Sequence, residues 1–322
     1  MSSGAKERRS NLQFATRNPL LAIVGPTAVG KTSLSLHLAE VLDGEIVSAD
    51  SRLFYRGMDV GTAKPTPEER ARAPHHLIDI AAPDETVGLA EFQEQAYAAI
   101  DDIHARGRLP LLVGGTGQYV RAVVEGWSIP RVPPDPGLRA RLEAQAEREG
   151  AGALHDRLAR LDPVAARRIH PHNVRRVIRA LEVCLVTERP ISEQQGRRPP
   201  PYHILQIGLT MERKALYARA DRRTEAMMST GLAGEVRRLV EAGYGWDLPA
   251  MSGLGYVQFK PYFEGASSLE QVAAEIKRAT HSFIRRQYNW FSLDDPAIHW
   301  FDVTETEDWA EIEAAVKEWL VE

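Results

Sequence analysis

Short apolar runs alternate with helical periodicity over the first third of the chain. Residues 20–24 are continuously apolar and stop at a glycine, the length and setting of a strand buried on both faces. Helical periodicity follows from about Lys31, with Leu34, Leu36, Leu38 and Leu42 mostly on one side. Residues 45–47 predict a second strand, ending at Ser48-Ala49-Asp50, and residues 77–80 a third. Leu89, Phe92, Ala96, Ala99, Ile100 and Ile103 then recur at helical spacing. Residues 109–113 are another apolar strand, closed by Gly114-Gly115-Thr116-Gly117. Strands alternating with helices predict an α/β fold with a parallel sheet and right-handed crossovers.

The pattern breaks at 129–137, where Pro130, Pro133, Pro134 and Pro136 read as a linker. Residues 138–188 then look wholly helical. A second break at 196–201 contains Pro199-Pro200-Pro201, and strand character returns at 203–209. The expected organisation is therefore a core of 19–128 and 203–322 carrying a helical insertion, 129–202. The C-terminal part reads as helical. Ser267-x-x-Glu270 matches a capping box and opens a long helix. On it Leu269, Val272, Ile276, Phe283 and Trp290 mark the expected buried face, while Lys277, His281 and Arg285 fall four apart elsewhere. Residues 1–18 are polar, carry Lys6, Arg8, Arg9 and Arg17, and lack the apolar core of a secretory signal. They read as a flexible leader, with a short basic transit peptide as the other reading.

A chain of 322 residues, 43% apolar and 26% charged, can bury a large core without staples. The lone Cys184 can form neither an internal disulfide nor a multi-cysteine zinc site, which fits the cytoplasm. No run of about 20 apolar residues predicts a membrane span. The net charge of −4 argues mildly against a nucleic-acid partner, but the distribution argues otherwise. Residues 129–202 hold 14 arginines and no lysine against 9 acidic residues. That is either an electrostatic footprint for a polyanion or an ordinary solvated helical surface.

Gly25-Pro26-Thr27-Ala28-Val29-Gly30-Lys31-Thr32 matches G-x-x-x-x-G-K-[ST] between a predicted strand and a predicted helix. Glycines let successive backbone N–H groups turn toward an anion, and the helix N-terminus adds its positive end. Lys31 can neutralise a terminal phosphate and Thr32 can ligate magnesium. The motif implies a phosphate or diphosphate ligand without implying ATP. Strand ends on one edge of a parallel sheet converge on a ligand crevice. Thr116, after the glycines closing residues 109–113, is so placed, although those glycines also suit a plain tight turn. The same edge carries Asp50, which can accept a proton from a nucleophile, ligate magnesium, or cap a turn.

Several segments together resemble the bacterial tRNA dimethylallyltransferase (tRNA isopentenyltransferase) family. They are the phosphate loop, residues 48–51, residues 55–65 (Tyr-Arg-Gly-Met-Asp-Val-Gly-Thr-Ala-Lys-Pro) and 73–79. Residues 112–117, 162–171, Arg176, 179–183, Gly255-Tyr256 and Arg286-Gln287 before Trp290-Phe291 continue the match. It covers nearly the whole chain after residue 18. The runs 58–65 and 162–171 are its most specific parts.

The resemblance implies a P-loop kinase-like core with an inserted helical domain that grips the tRNA anticodon stem-loop. It implies dimethylallyl diphosphate as donor, Mg2+ as cofactor and a monomer. Asp50 is implied as general base toward the adenosine 3′-adjacent to the anticodon, with Lys31 and Thr32 also in the catalytic group. Lys31, Thr32 and Arg223 would hold the diphosphate. Expected tRNA contacts are Asp50, Ser51, Arg52, Leu53, Thr116, Arg139, Arg175, Arg176, Val177, Ile178 and Arg179. Ser252, Gly253, Leu254, Gly255 and Tyr256 complete that set.

Two departures stand out. Val257 replaces a basic residue usual after Gly255-Tyr256, and Gln118 replaces a bulkier residue. The single cysteine rules out the zinc finger that eukaryotic relatives append. His75, His76, His170 and His172 lack a partner set for a metal and read as turn or surface residues. From the residues alone, a small-molecule P-loop kinase using Asp50 as base is the main competitor, and a non-catalytic RNA-binding module is a third reading.

Overall fold

The computed structural model describes residues 17–305 and 308–322, so all of the expected leader before Arg17 lies outside the described residues. In chain order the strands are β1 (Pro19–Val24), β2 (Gly44–Ser48), β3 (His75–His76), β4 (Leu109–Val113), β5 (Trp127–Ser128), β6 (Gly196–Arg197), β7 (His203–Thr210) and β8 (His299–Asp302). A six-stranded parallel sheet has the order β3-β2-β4-β1-β7-β8. The helices before the insertion are α1 (Lys31–Val41), α2 (Pro67–Arg72), α3 (Leu89–Ala105) and α4 (Gly117–Val124). Within it lie α5 (Pro136–Leu161), α6 (Pro163–Arg168), α7 (Val174–Thr187) and α8 (Ile191–Gln194). Beyond it come α9 (Arg213–Ser229), α10 (Leu232–Glu241), α11 (Lys260–Phe263), α12 (Leu269–Trp290) and α13 (Ala310–Val321).

The chain divides into two compact units, 1–124 with 201–322, and 125–200. In the first, β1 is buried along its whole length, and successive side chains serve opposite faces. Leu21 and Ile23 pack with Leu34, Leu38, Leu216, Val316 and Leu320, so α1, α9 and α13 cover one face. Leu20, Ala22 and Val24 pack with Phe92, Ile100, Ile103 and Val120, so α3 and α4 cover the other. A further cluster joins Tyr55 and Met58 to Val236 of α10, to Met251 and Tyr256, and to Val272 and Ile276 of α12.

Four local expectations need correction. The third strand is His75–His76, not 77–80, because Leu77 and Asp79 take φ of 60° and 59°, which no strand accommodates. The C-terminal part is not all helical, since β8 adds a parallel edge strand beside β7. The capping box of α12 sits one residue later, on Ser268 and Gln271, while the Ser267 hydroxyl is buried without a hydrogen-bond partner among the described residues. The buried stripe of α12 is Val272, Ile276, Thr280, Ile284 and Gln287, and Trp290 is 39% exposed. The sequence stripe favoured large apolar residues, but the two polar members, Thr280 and Gln287, are buried because both are hydrogen-bonded.

The second unit is closed at its ends by the antiparallel pair β5–β6. Its helical stretch is not continuous. Gly150 breaks α5 at φ 85° and ψ 155°, and Asp162 and residues 169–173 interrupt it again. Leu142, Leu154, Leu158, Val177, Leu181 and Cys184 form its core. Among the described residues no helix is long and apolar enough to cross a membrane.

Candidate active site

The ends of β1, β2 and β4 are held together by glycines that leave no room for a side chain. A Cβ on Gly114, after β4, would lie 2.4 Å from the carbonyl oxygen of Ala49, after β2. A Cβ on Gly25, after β1, would lie 2.5 Å from the carbonyl oxygen of Leu209 on β7. The phosphate loop therefore leaves β1 in a conformation open to glycine, with Gly25 at φ 138°, and returns through Gly30 at φ 117° into α1. Ala28 also takes a positive φ of 68°, a strained value for a residue with a Cβ and one that tightens the loop.

Lys31 lies folded over this loop, donating from Nζ to the carbonyls of Gly25 at 2.9 Å and Pro26 at 2.7 Å. Burial lowers its pKa to about 8; Asp50 opposes the shift and Arg223 adds to it. Arg223 comes from α9 and donates to the Thr27 hydroxyl at 2.6 Å. Its own pKa is lowered, chiefly by burial, with Asp50 raising it and Arg219 lowering it again. One carboxylate thus interacts electrostatically with both a lysine and an arginine beside the loop after β1. Thr32, the second residue of α1, is exposed.

Asp50 follows β2. Its Oδ1 accepts the Arg52 amide at 3.0 Å, and its carbonyl accepts the Leu53 amide at 3.1 Å. The turn reading of this aspartate is therefore true of one carboxylate oxygen. The other makes no hydrogen bond among the described residues. Beside it, Tyr119 packs at 5.7 Å from Phe54 and 4.6 Å from Phe92, forming an aromatic wall. Burial pushes the Tyr119 phenol up to about 12.

Arg52 reaches across to the 249–256 segment, donating to the Pro249 carbonyl at 2.9 Å and lying against Gly253. Ser252 is exposed there, and Leu254 is half-buried. Tyr256 is fully buried, with its hydroxyl donating to Glu235 at 2.7 Å. The same Glu235 carboxylate accepts the amides of Asp59, Val60 and Gly61 at 2.8, 2.8 and 3.0 Å. Tyr256 is a strut under this surface, and an expectation of direct side-chain contact with RNA does not fit its burial. Ser51, Leu53 and Thr116 are half-buried in the segments that follow β2 and β4.

The remaining expected tRNA contacts belong to the second unit. Arg175 and Arg176 are exposed on α7, but Val177 and Ile178 are buried in that unit's core, so their side chains cannot reach a ligand. Arg139 and Arg179 both converge on Glu182, which also accepts the Asp135 amide at 2.8 Å. Burial alone would raise the Glu182 pKa. Hydrogen bonds from Arg139, the Asp135 amide and Arg179 overwhelm that and hold it at about 2. The two arginines are partly exposed at this triad and organise the unit as well as charging its surface.

Two residues escaped the sequence reading. Arg219, one turn before Arg223 on α9, places a guanidinium nitrogen 3.8 Å from the position of a Cβ on Gly30. Its spacing of four from Arg223 was the available signal. Gln287 was noted only as part of a motif, yet its amide joins the phosphate loop to the loop after β4.

Comparison with known proteins bears on this geometry. A family model described as IPP transferase matches residues 53–294. A tRNA dimethylallyltransferase of Roseiflexus sp. (strain RS-1) is 62% identical over 273 residues, 85% of this chain and 90% of the relative. The crystal structure of a full-length tRNA isopentenylpyrophosphate transferase from Bacillus halodurans is 43% identical, with a TM-score of 0.71 over 94% of this chain and 97% of that one. A eukaryotic dimethylallyltransferase, solved in crystallographic snapshots acting on tRNA, is 25% identical with a TM-score of 0.77, over 93% and 77% of the two chains.

Proposed function

The chain belongs to the IPP transferase family, and on that premise we propose that it is a tRNA dimethylallyltransferase. It transfers the dimethylallyl group of dimethylallyl diphosphate to the exocyclic N6 amine of the adenosine 3′-adjacent to the anticodon. The observation that carries the reading is the single carboxylate, Asp50, set against Lys31 and Arg223 at the mouth of the phosphate loop. The bond from the dimethylallyl C1 to the diphosphate oxygen breaks as N6 bonds to C1. The N6 proton passes to the free oxygen of Asp50, and diphosphate leaves with the electron pair.

Each residue has a task in this step. Lys31, Arg223 and the loop amides neutralise charge that grows on the leaving diphosphate, where such stabilisation lowers the barrier most. Asp50 assists a weakly nucleophilic aromatic amine. The adenine must leave its stack to reach the crevice, and the Tyr119–Phe54–Phe92 wall offers an apolar lining beside Asp50. Magnesium fits the same edge. The exposed Thr32 hydroxyl is a hard oxygen ligand, and among the described residues no cluster of three His, Cys, Asp or Glu side chains competes for a cation. An ion bound there would take its other ligands from diphosphate and water and would offset the leaving group's charge.

The arginine-rich insertion supports a grip on the anticodon stem-loop through exposed residues such as Arg175 and Arg176. A monomer acting in the cytoplasm, where tRNA is modified, completes the reading.

The direct test follows label from radiolabelled dimethylallyl diphosphate into unmodified tRNA. Label in the RNA is expected. Its absence, with ATP consumed in the presence of a small alcohol, overturns the proposal in favour of a kinase. A second expectation concerns pH. Donor affinity needs Lys31 charged, so it falls as pH rises through about 8. From pH 7 to pH 9 the loss is about tenfold if only the charged form binds. Calorimetric titration checks this, and an affinity flat to pH 9 would show that Lys31 keeps its ordinary pKa.

A further inference from the structure

Gln287 lies in the last turn of α12 and is buried. Its Oε1 accepts the Thr27 amide at 2.8 Å, and its Nε2 donates to the Gly115 carbonyl at 2.9 Å. A backbone amide only donates and a carbonyl only accepts, so these two partners fix which end of the side-chain amide is oxygen. Thr27 is in the phosphate loop, and its hydroxyl holds Arg223. Gly115 precedes Thr116 in the loop after β4. A Cβ on Gly115 would lie 2.3 Å from Gln287 Nε2 and 3.5 Å from Lys31 Nζ. One side chain, carried on a long helix anchored through Val272, Ile276 and Ile284, therefore spans the seam between the two loops.

We propose that Gln287 is a positioning residue that sets the separation between the donor's diphosphate loop and the loop that meets the acceptor nucleoside. This rests on the prenyltransferase reading. Its hydrogen bond takes the Thr27 N–H out of the anion cradle, which leaves the later amides of the loop for the diphosphate. It also ties Thr27, and through it Arg223, to the backbone beside Thr116. In-line displacement needs the amine and C1 within about 3–3.5 Å and aligned, and a misplacement of about 1 Å slows such a step on the order of a hundredfold. A buried amide with a partner on each loop holds that distance more rigidly than either loop alone.

Two substitutions test the proposal. Gln287→Met keeps the volume and removes both hydrogen bonds. Gln287→Glu carries a group that imitates the amide only when protonated, since a neutral carboxylic acid accepts at one oxygen and donates from the other. Single-turnover transfer to tRNA is measured with both substrates saturating, together with donor and tRNA affinities and melting temperature. For Gln287→Met the single-turnover rate is expected to fall about a hundredfold, with each substrate's Kd within about threefold of wild type on that same positioning argument. For Gln287→Glu the rate relative to wild type is expected to rise at least about tenfold from pH 8 to pH 6, as the new carboxyl takes up its proton. Lys31 lies by Gly115 and Arg223 on Thr27 in both proteins, so dividing by the wild-type rate removes the pH dependence that the two proteins share. The proposal is overturned if Gln287→Met transfers at the wild-type rate, if rate, affinity and melting temperature fall together, or if the Gln287→Glu ratio is flat with pH. A wild-type protein that labels no tRNA would instead remove the reading on which the proposal rests.

Discussion

Asp50→Asn should slow prenyl transfer by about 10²–10⁴-fold, the range for a positioned general base, and leave the melting temperature unchanged. Asparagine is the informative choice because it keeps Oδ1. The hydrogen bond from the Arg52 amide at 3.0 Å survives, and with it the turn after β2. A purely structural aspartate would tolerate the change. A base would not, because the free oxygen becomes an amide that cannot accept the N6 proton. The substitution also removes the charge that holds the Lys31 pKa up. Donor affinity in the variant should therefore fade at a lower pH than in wild type, while donor binding at pH 6 stays close to normal. Single-turnover assays and donor titrations read the two effects separately. Full activity in Asp50→Asn would remove Asp50 from the chemistry.

Lys64→Met should destabilise the first unit by about 3 kcal/mol, the lower end of the range for breaking a buried ion pair. The Lys64 side chain is 2% exposed, and its Nζ donates to Tyr55 carbonyl oxygen at 2.8 Å and to Asp59 and Asp79 at 2.6 Å each. Asp79 also accepts from Arg70 at 2.8 Å. The lower end applies because both aspartates reach water, which screens them once the lysine is gone. A melting temperature lower by roughly 6–12 °C is the expected reading for a unit of this size. Burial alone would raise the Asp79 pKa, but hydrogen bonds from Lys64 and Arg70 outweigh it and leave it below the ordinary value. A carboxyl so depressed adds stability above its unfolded pKa and loses it as pH falls through the folded one. The deficit of Lys64→Met should accordingly be largest near neutral pH and shrink below about pH 4. A constant deficit across pH would mean the lysine acts through packing alone.

The parts legible in sequence were those with a local signature. The continuous apolar run of β1, the Gly-Lys-Thr turn and the proline-rich borders of the insertion each carry their own physics within a few residues. The failures have a common cause in long-range partners. Leu77 and Ile80 are apolar enough for a strand, but the Lys64 and Arg70 bonds to Asp79 fold that stretch into a turn. Tyr256 and Val177 fell inside motifs whose resemblance marked the whole run as RNA-facing, whereas burial separates supports from contacts residue by residue. Gln287 is the same lesson in reverse. A glutamine on a charged helix reads as solvent-facing until its partners at Thr27 and Gly115, far away in the chain, are known.

The placement of β1 has a consequence for how the protein is made. β1 pairs with β4 on one side and with β7, beyond the whole insertion, on the other. During synthesis the first strand, every residue of which ends up buried, waits for its second neighbour while the insertion is translated. At ordinary elongation rates that interval is on the order of ten seconds. Throughout it the nascent chain presents an open apolar edge able to pair with other chains. The insertion has its own core and can fold in that time, so the exposed species is a half-sheet tethered to a finished helical unit. Slow passage of the ribosome through the insertion would lengthen the exposure, and holdase chaperones that mask strand edges are the natural protection.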